Sequence, residues 1–275
     1  MAKSTFTKTA TNNGSEDNRC ITFVHHKGGT GKTTSCLNVA GWLARLNKKV
    51  LVVDLDPQGN ATAGLGIDRK TLDSSIYDVF FSGKEIEEII LETDSGIYLA
   101  PSSVDLLAAE THMAGKADNS FMLRESLSNV AEHFDYILVD VPPGSTLLMI
   151  NGIAASENII IPLDSGVFAY ETMETLKTLI TDLDEELDLE INVMMVIIKE
   201  FSNSFFRSGP PRAIKKLIKE FLSKNISTRV KICTVPFSLK VQKAQMKGMP
   251  VSHYAPFSNV GRIYKNIAKE IMNYK

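Results

Sequence analysis

Seven short stretches of this chain are dominated by apolar residues: Cys20–Val24, Val50–Val53, Ile97–Ala100, Tyr136–Val139, Ile159–Leu163, Ile191–Ile198 and Val230–Val235. Where the apolar run is continuous rather than alternating, as in Val50-Leu51-Val52-Val53, the pattern is that of a strand buried on both faces. Between these stretches lie segments of helical character. They are Lys32–Asn47, a mixed and mostly helical stretch from Ala61 to Gly96, a helix opening at Ser103 as its N-cap, and Asn119–His133 with Leu123, Leu127 and Val130 on one face. Two more follow, Tyr170–Leu187 and Ser258–Tyr274, the last with Ile263, Ile267 and Ile271 on one stripe. Strands alternating with helices of crossover length predict an α/β fold, a doubly wound and mostly parallel sheet flanked by helices. Residues 1–18 are rich in Thr, Ser and Asn and are expected to form a disordered tail, leaving 19–275 as a single domain.

The chemistry collects where apolar runs stop. After Val24 comes His25-His26-Lys27-Gly28-Gly29-Thr30-Gly31-Lys32-Thr33-Thr34, which reads as strand, glycine-rich turn and helix. Glycines let the backbone curl and turn several N–H groups inward, and the helix adds its positive N-terminal end, so the stretch is suited to cradle phosphates. Lys32 can reach the β- and γ-phosphates of a triphosphate, and the Thr33 hydroxyl can hold Mg²⁺. Val50–Val53 ends in Asp54 and Asp56, followed by Pro57-Gln58-Gly59-Asn60. Tyr136–Val139 ends in Asp140 and Pro142-Pro143-Gly144. In an open parallel sheet ligands bind at the carboxyl ends of strands, which delivers all three acids to the side of the phosphate loop. Asp140 reads as the acid that accepts a Mg²⁺-bound water. His25 and His26 are open to either a structural or a catalytic role, and no histidine stands in a metal-ligand spacing.

The loop departs from the ordinary G-x-x-x-x-G-K-[ST] pattern: His26 takes the first glycine position, and Lys27 stands before the glycine pair. This form, with the D-x-D-P-Q-G-N string, resembles the deviant Walker A loop and second motif of the ParA/MinD family of P-loop ATPases, closest to its ParA/Soj partition branch. The resemblance covers roughly Cys20–Lys275. It implies ATP and Mg²⁺ as cofactors, with Lys27 and Gly28 to Thr34 on the nucleotide and Thr33, Asp54 and Asp140 around the metal. Asp54 would support either the metal shell or the geometry of the switch. It further implies that Lys27 crosses a homodimer interface on ATP binding to touch the partner's nucleotide, that Lys27, Lys32 and Asp56 are catalytic, Asp56 acting on the attacking water, and that Pro236 flanks the adenine. After Val235-Pro236, where the family usually has a basic residue and then Asn, this chain has Phe237-Ser238.

Composition changes the picture little and charge distribution changes it more. The net charge is −2, yet Glu171–Glu190 holds eight acids and one lysine, while Phe205–Lys247 holds eleven bases and one acid. The basic set includes Arg212, Lys215, Lys216, Lys219, Lys240, Lys243 and Lys247, and the last three share one side of a helix at i, i+3 and i+7. By themselves these read equally as a solvated helix face. The resemblance implies that they bind non-specific duplex DNA in the ATP-bound dimer, that a centromere-binding ParB-like adaptor stimulates hydrolysis, and that the protein drives plasmid or chromosome partition from a cytoplasmic, nucleoid-associated location. The alternative is a MinD-like ATPase at a membrane surface or one positioning another protein cargo. No apolar run approaches the ~18 residues of a membrane span, and no membrane partner is expected. The three cysteines form no C-x-x-C pair. Residues 37–232 contain none, which excludes a relative that shares an iron–sulfur cluster between subunits.

Overall fold

The computed structural model describes residues 19–274 apart from 114–118, 145, 166–168, 201–209 and 227–228. The expected tail, 1–18, lies outside the described residues. The strands are β1 Arg19–Phe23, β2 Val50–Asp54, β3 Leu91–Glu92, β4 Tyr98–Ala100, β5 Tyr136–Asp140, β6 Asn158–Asp164, β7 Asn192–Lys199 and β8 Lys231–Val235. They form one sheet in the order β3-β4-β2-β5-β1-β6-β7-β8. All pairings are parallel except β3 with β4. This is the predicted fold, and the unbroken apolar runs have the predicted cause. Leu51 and Val53 of β2 join Ile137 and Val139 of β5 in one core, while Val50 and Val52 join Tyr136 and Leu138 in a second core on the other face.

The helices are α1 Lys32–Arg45, α2 Asn60–Gly64, α3 Ile76–Phe81, α4 Ala109–Met113, α5 Met122–Leu127, α6 Leu147–Ser156, α7 Ala169–Leu187, α8 Pro210–Asn225, α9 Leu239–Met246, α10 Val251–Tyr254 and α11 Asn259–Met272. Helices α3 to α8 cover the first core, and α1, α2, α10 and α11 cover the second. The final helix packs on the sheet as expected, burying Ile267 and Ile271, with Ser258 as its N-cap accepting from Gly261 N–H at 3.1 Å.

Three local readings are corrected. Within the stretch read as mostly helical, Leu91 and Glu92 pair antiparallel with Leu99 and Tyr98, and a two-residue strand leaves no periodicity to detect. Only Met122–Leu127 of the expected Asn119–His133 helix is α-helical. Leu123, Leu127 and Val130 are buried all the same, because a turn and a short 3-10 helix bring Val130 to the core. Ser103 precedes a 3-10 helix, Val104–Ala108, without capping it through its side chain; its hydroxyl bonds Ser75 at 2.9 Å and Asp105 at 3.1 Å.

Strand β1 lies mid-sheet between β5 and β6, with β2 and β4 to one side and β7 and β8 to the other. Such a switch point opens a crevice at the carboxyl ends of the strands. Register aligns the chemistry there, pairing Asp54 with Asp140 across β2 and β5, and Phe23 with Asp140 across β1 and β5.

Candidate nucleotide site

Beyond β1, Val24 N–H still donates to Ile160 O at 2.9 Å, and the chain then turns into the loop. His25 is 1% exposed, and its Nδ1 accepts the Lys27 N–H at 2.9 Å. The His25 and His26 rings stack with centroids 5.0 Å apart. The His26 carbonyl accepts Gly144 N–H at 2.8 Å, which ties the phosphate loop to the Pro142–Gly144 turn. Gly29 and Gly31 carry φ of +77° and +98°, a region that side chains strongly disfavour, and this is what bends the loop. Lys32 opens α1 almost fully buried, with Nζ 3.4 Å from the Lys27 carbonyl. Burial lowers its pKa, and the charges of Asp140 and Asp56 act the other way. Lys27 is exposed.

The three acids have different environments. Asp54 is fully buried and taken up by the chain: Oδ2 accepts Thr62 N–H at 2.7 Å and the Thr62 hydroxyl at 2.8 Å, and Oδ1 accepts Asp56 N–H at 3.1 Å. Burial raises its pKa, against the Thr62 bonds. Asp56 has one oxygen on Gln58 N–H at 2.9 Å and its carboxylate lines the crevice. Asp140 is 0% exposed, with both carboxylate oxygens buried and without a hydrogen bond. Burial pushes its pKa well above the usual carboxylate range and Asp54 adds to this, while the neighbouring Thr33 hydroxyl and Lys32 ammonium oppose it.

A buried carboxylate beside the Thr33 hydroxyl fits a hard cation. Among the described residues no cluster of three or more His, Cys, Asp or Glu could hold a metal alone. That suits Mg²⁺, which keeps waters and takes one or two protein oxygens together with substrate phosphates. Thr33 and Asp140 are the residues that would serve it here.

A cavity of about 620 Å³ opens over the loop, lined by Gly28, Gly29, Gly31, Lys32, Thr33, Thr34 and Asp56, and by Gln58 to Gly64 in part, Pro143, Lys199, Gln245 and Met246. The structure therefore brings the phosphate loop and Asp56 to one cavity, with Asp140 buried beside Lys32. Thr30 belongs to the loop, but its side chain is buried. Neither Lys27 nor Pro236 is in this lining. Three residues that carry no role in the sequence reading are: Lys199 at the end of β7, and Gln245 and Met246 on α9, the methionine 87% exposed. A lysine ending a strand and a glutamine in a basic helix have no local signal that marks them as lining a site.

The basic residues divide. Lys215, Lys216 and Lys219 are exposed on α8, which packs on the first core; Lys240, Lys243 and Lys247 are exposed along and just after α9, whose Val241 packs on the second. They thus belong to helices on opposite faces of the sheet. The side chain of Arg212 lies outside the described residues. No described helix is long and apolar enough to cross a membrane.

Comparison with known proteins agrees with this geometry. The family model described as AAA domain matches residues 18–193. The chromosome-partitioning ATPase Soj of Thermus thermophilus is 30% identical over 254 residues, covering 92% of this chain and 95% of its own. The apo McdA of Cyanthece shares the fold with a TM-score of 0.80 at 21% identity, over 92% of this chain and 99% of that one. Cobyrinic acid a,c-diamide synthase of Mycobacterium smegmatis, solved with a bound ATP analogue and magnesium, shares it with a TM-score of 0.66 at 21% identity, over 93% of this chain and 94% of that one. A lysine before the glycine pair, the acids paired across β2 and β5, and a Soj relative matched over nearly its whole length lead to one conclusion: this chain belongs to the AAA-domain family of P-loop ATPases and, within it, to the ParA/Soj group.

Proposed function

We propose that this protein is a Mg²⁺-dependent ATPase that dimerises on ATP, binds duplex DNA without sequence preference, and drives partition of a plasmid or chromosome with a ParB-like adaptor. The observation that carries the reading is the loop itself. Lys32 is buried beside Asp140 and lines the cavity, while Lys27, five residues earlier, is exposed and outside its lining. This contrast supports a reading in which Lys32 serves the nucleotide of its own chain and Lys27 that of a second chain.

The residues divide the work. Thr33 and Asp140 would hold Mg²⁺, which would supply positive charge against the phosphates. Loop N–H groups and Lys32 hold the phosphates. Asp56, steadied by Gln58 N–H, orients the attacking water. Asp54 acts as a positioning residue, since its oxygens hold Asp56 N–H and Thr62 in place. Lys27 supplies charge in trans; the comparable arginine finger is worth roughly 10³–10⁵ in rate in GTPases. The exposed lysines of α9, next to the cavity wall, and those of α8 meet DNA phosphates.

The test is binding to random-sequence duplex DNA with ATP, with ADP and with neither, at two salt concentrations. ATP-dependent binding is expected, with a slope of log affinity on log salt of about −5 if some six bases meet phosphates. Lys27→Ala is expected to lose partner-stimulated hydrolysis. ATP-dependent dimerisation without DNA binding in any state would overturn the DNA reading, and binding to anionic liposomes in its place would point to a membrane surface.

A further inference from the structure

Lys199 ends β7, and a register change decides where its side chain goes. Along β6 and β7, Ile159 pairs with Val193 but Ile160 pairs with Met195, so Met194 is the extra residue of a bulge. The burial pattern records the consequence. Val193 lies in the first core, Met194 and Met195 both lie in the second, and alternation then resumes with Val196 and Ile198 in the first and Ile197 in the second. One extra residue exchanges the faces of everything that follows it. Without the bulge Lys199 would fall on the face covered by α3 to α8. With it, Lys199 falls on the face of α1 and the phosphate loop.

There the side chain reaches the loop. Its stem passes 3.7 Å from where a Cβ on Gly31 would stand, and Nζ donates to the Gly29 carbonyl at 2.9 Å. The backbone at its base is fixed, because Lys199 O accepts Ser165 N–H at 3.0 Å and the residue pairs with Asp164 and Val235. Lys199 also lines the same cavity as Lys32 and Thr33. An ammonium carries three donors, so a bond to a loop carbonyl is compatible with donation to an anion. A carbonyl and the N–H that follows it point in opposite directions across a planar trans peptide, so holding Gly29 C=O also sets the direction of Thr30 N–H.

We propose that Lys199 is a further phosphate-binding lysine, acting in cis: it anchors the Gly29 peptide and shares its charge with the phosphates of the bound nucleotide. This rests on the nucleotide reading of the cavity, and it separates three lysines by role: Lys32 from beneath, Lys199 from the side, and Lys27 from the other chain.

The test is fluorescence titration with labelled ADP and labelled ATP plus Mg²⁺, at protein concentrations too low for dimerisation. Lys199→Met keeps the stem without the charge, Lys199→Gln replaces it with a neutral donor, and Lys199→Arg keeps the charge. Losing a charge-assisted hydrogen bond should weaken both nucleotides by about tenfold or more in the Met and Gln variants. Lys199→Arg should stay within about threefold of wild type, with all melting curves alike. Wild-type affinity for both nucleotides in Lys199→Met overturns the role of Lys199 alone, as does an equal loss in Lys199→Arg. If Lys199→Met melts early, the Gln and Arg pair decides by the same criterion. A wild-type protein that binds neither nucleotide overturns the reading of the cavity, and this proposal with it.

Discussion

The side-chain amide of Gln245 donates to the Thr34 hydroxyl at 3.0 Å, joining residues 211 positions apart in the chain. Thr34 ends the phosphate-loop motif, and Gln245 stands on α9 between Lys243 and Lys247. The same helix leads into Gly248, where a Cβ would meet the Gly66 Cα at 2.5 Å, so α9 is held against the segment that follows α2 as well. Nucleotide at the loop therefore has a direct mechanical neighbour in a basic helix.

Removing that link should separate two activities. Gln245→Leu is expected to bind ATP within about threefold of wild type. On the DNA-binding function proposed above, its DNA affinity should respond roughly fivefold less to the exchange of ADP for ATP, the worth of one net hydrogen bond of about 1 kcal/mol. DNA binding measured with each nucleotide reads this out; an undiminished ATP response would exclude the bond as the connection.

Asp140 should be worth more to catalysis than to the fold. Its carboxylate is fully buried, and burial disfavours the charged form while Lys32 and the Thr33 hydroxyl favour it. Asp140→Asn is expected to abolish Mg²⁺-dependent hydrolysis while leaving nucleotide-free stability within about 1 kcal/mol of wild type, some 2–4 °C in melting temperature. A larger drop in melting temperature without nucleotide would mean that Asp140 is a structural acid.

Asp54 should behave in the opposite way. Asp54→Ala leaves Thr62 N–H, the Thr62 hydroxyl and Asp56 N–H without their acceptor in a fully buried place. A loss of about 3–5 kcal/mol by chemical denaturation is expected, with nucleotide affinity falling as a consequence of the displaced Asp56 loop.

His25 gives a pH dependence with a definite sign. Burial, then the neighbouring His26 and Lys32, lower its pKa from 6.5 to about 3, and its Nδ1 is already an acceptor for Lys27 N–H. Between those values the unfolded chain binds a proton that the native one refuses, so this residue's contribution to stability is lost as pH falls below about 6.5. Its share of the slope is at most about 1.4 kcal/mol per pH unit. Histidine NMR titration should find this ring neutral at pH 5, and His25→Asn should flatten the acid limb of the stability curve. A ring that titrates near 6.5 would contradict the buried geometry.

The strands and the acids at their ends were legible in the chain because both follow from local pattern. A strand covered on both faces has to be apolar at consecutive positions, and the acids stand out where Val53 and Val139 give way to Asp. The loop was legible because its glycines, lysines and threonines act within ten consecutive residues. Lys199 and Gln245 were not legible, because what places them is long-range: a bulge at Met194 that sets the facing of β7, and a helix seated against α1 through Thr34. The bonds of Asp54 to Thr62 escaped for the same reason, since nothing in a threonine eight residues on marks it as the partner of a strand-end acid. Leu91–Glu92 escaped because two residues carry no period.

The central place of β1 has a consequence for synthesis. The strand that presents the phosphate loop is held by β5 and β6, through Arg19–Tyr136 to Phe23–Asp140 on one side and Thr22–Ile159 and Phe23–Ile160 on the other. A nascent chain that has passed Thr34 carries the whole nucleotide motif and none of the walls that shape it. Until β6 has emerged from the ribosome, closing these distant pairings is impossible, and the loop has only the entropy of an unfolded segment. The loop motif, which precedes β5 and β6 in sequence, thus becomes a shaped binding site only once both strands have been made.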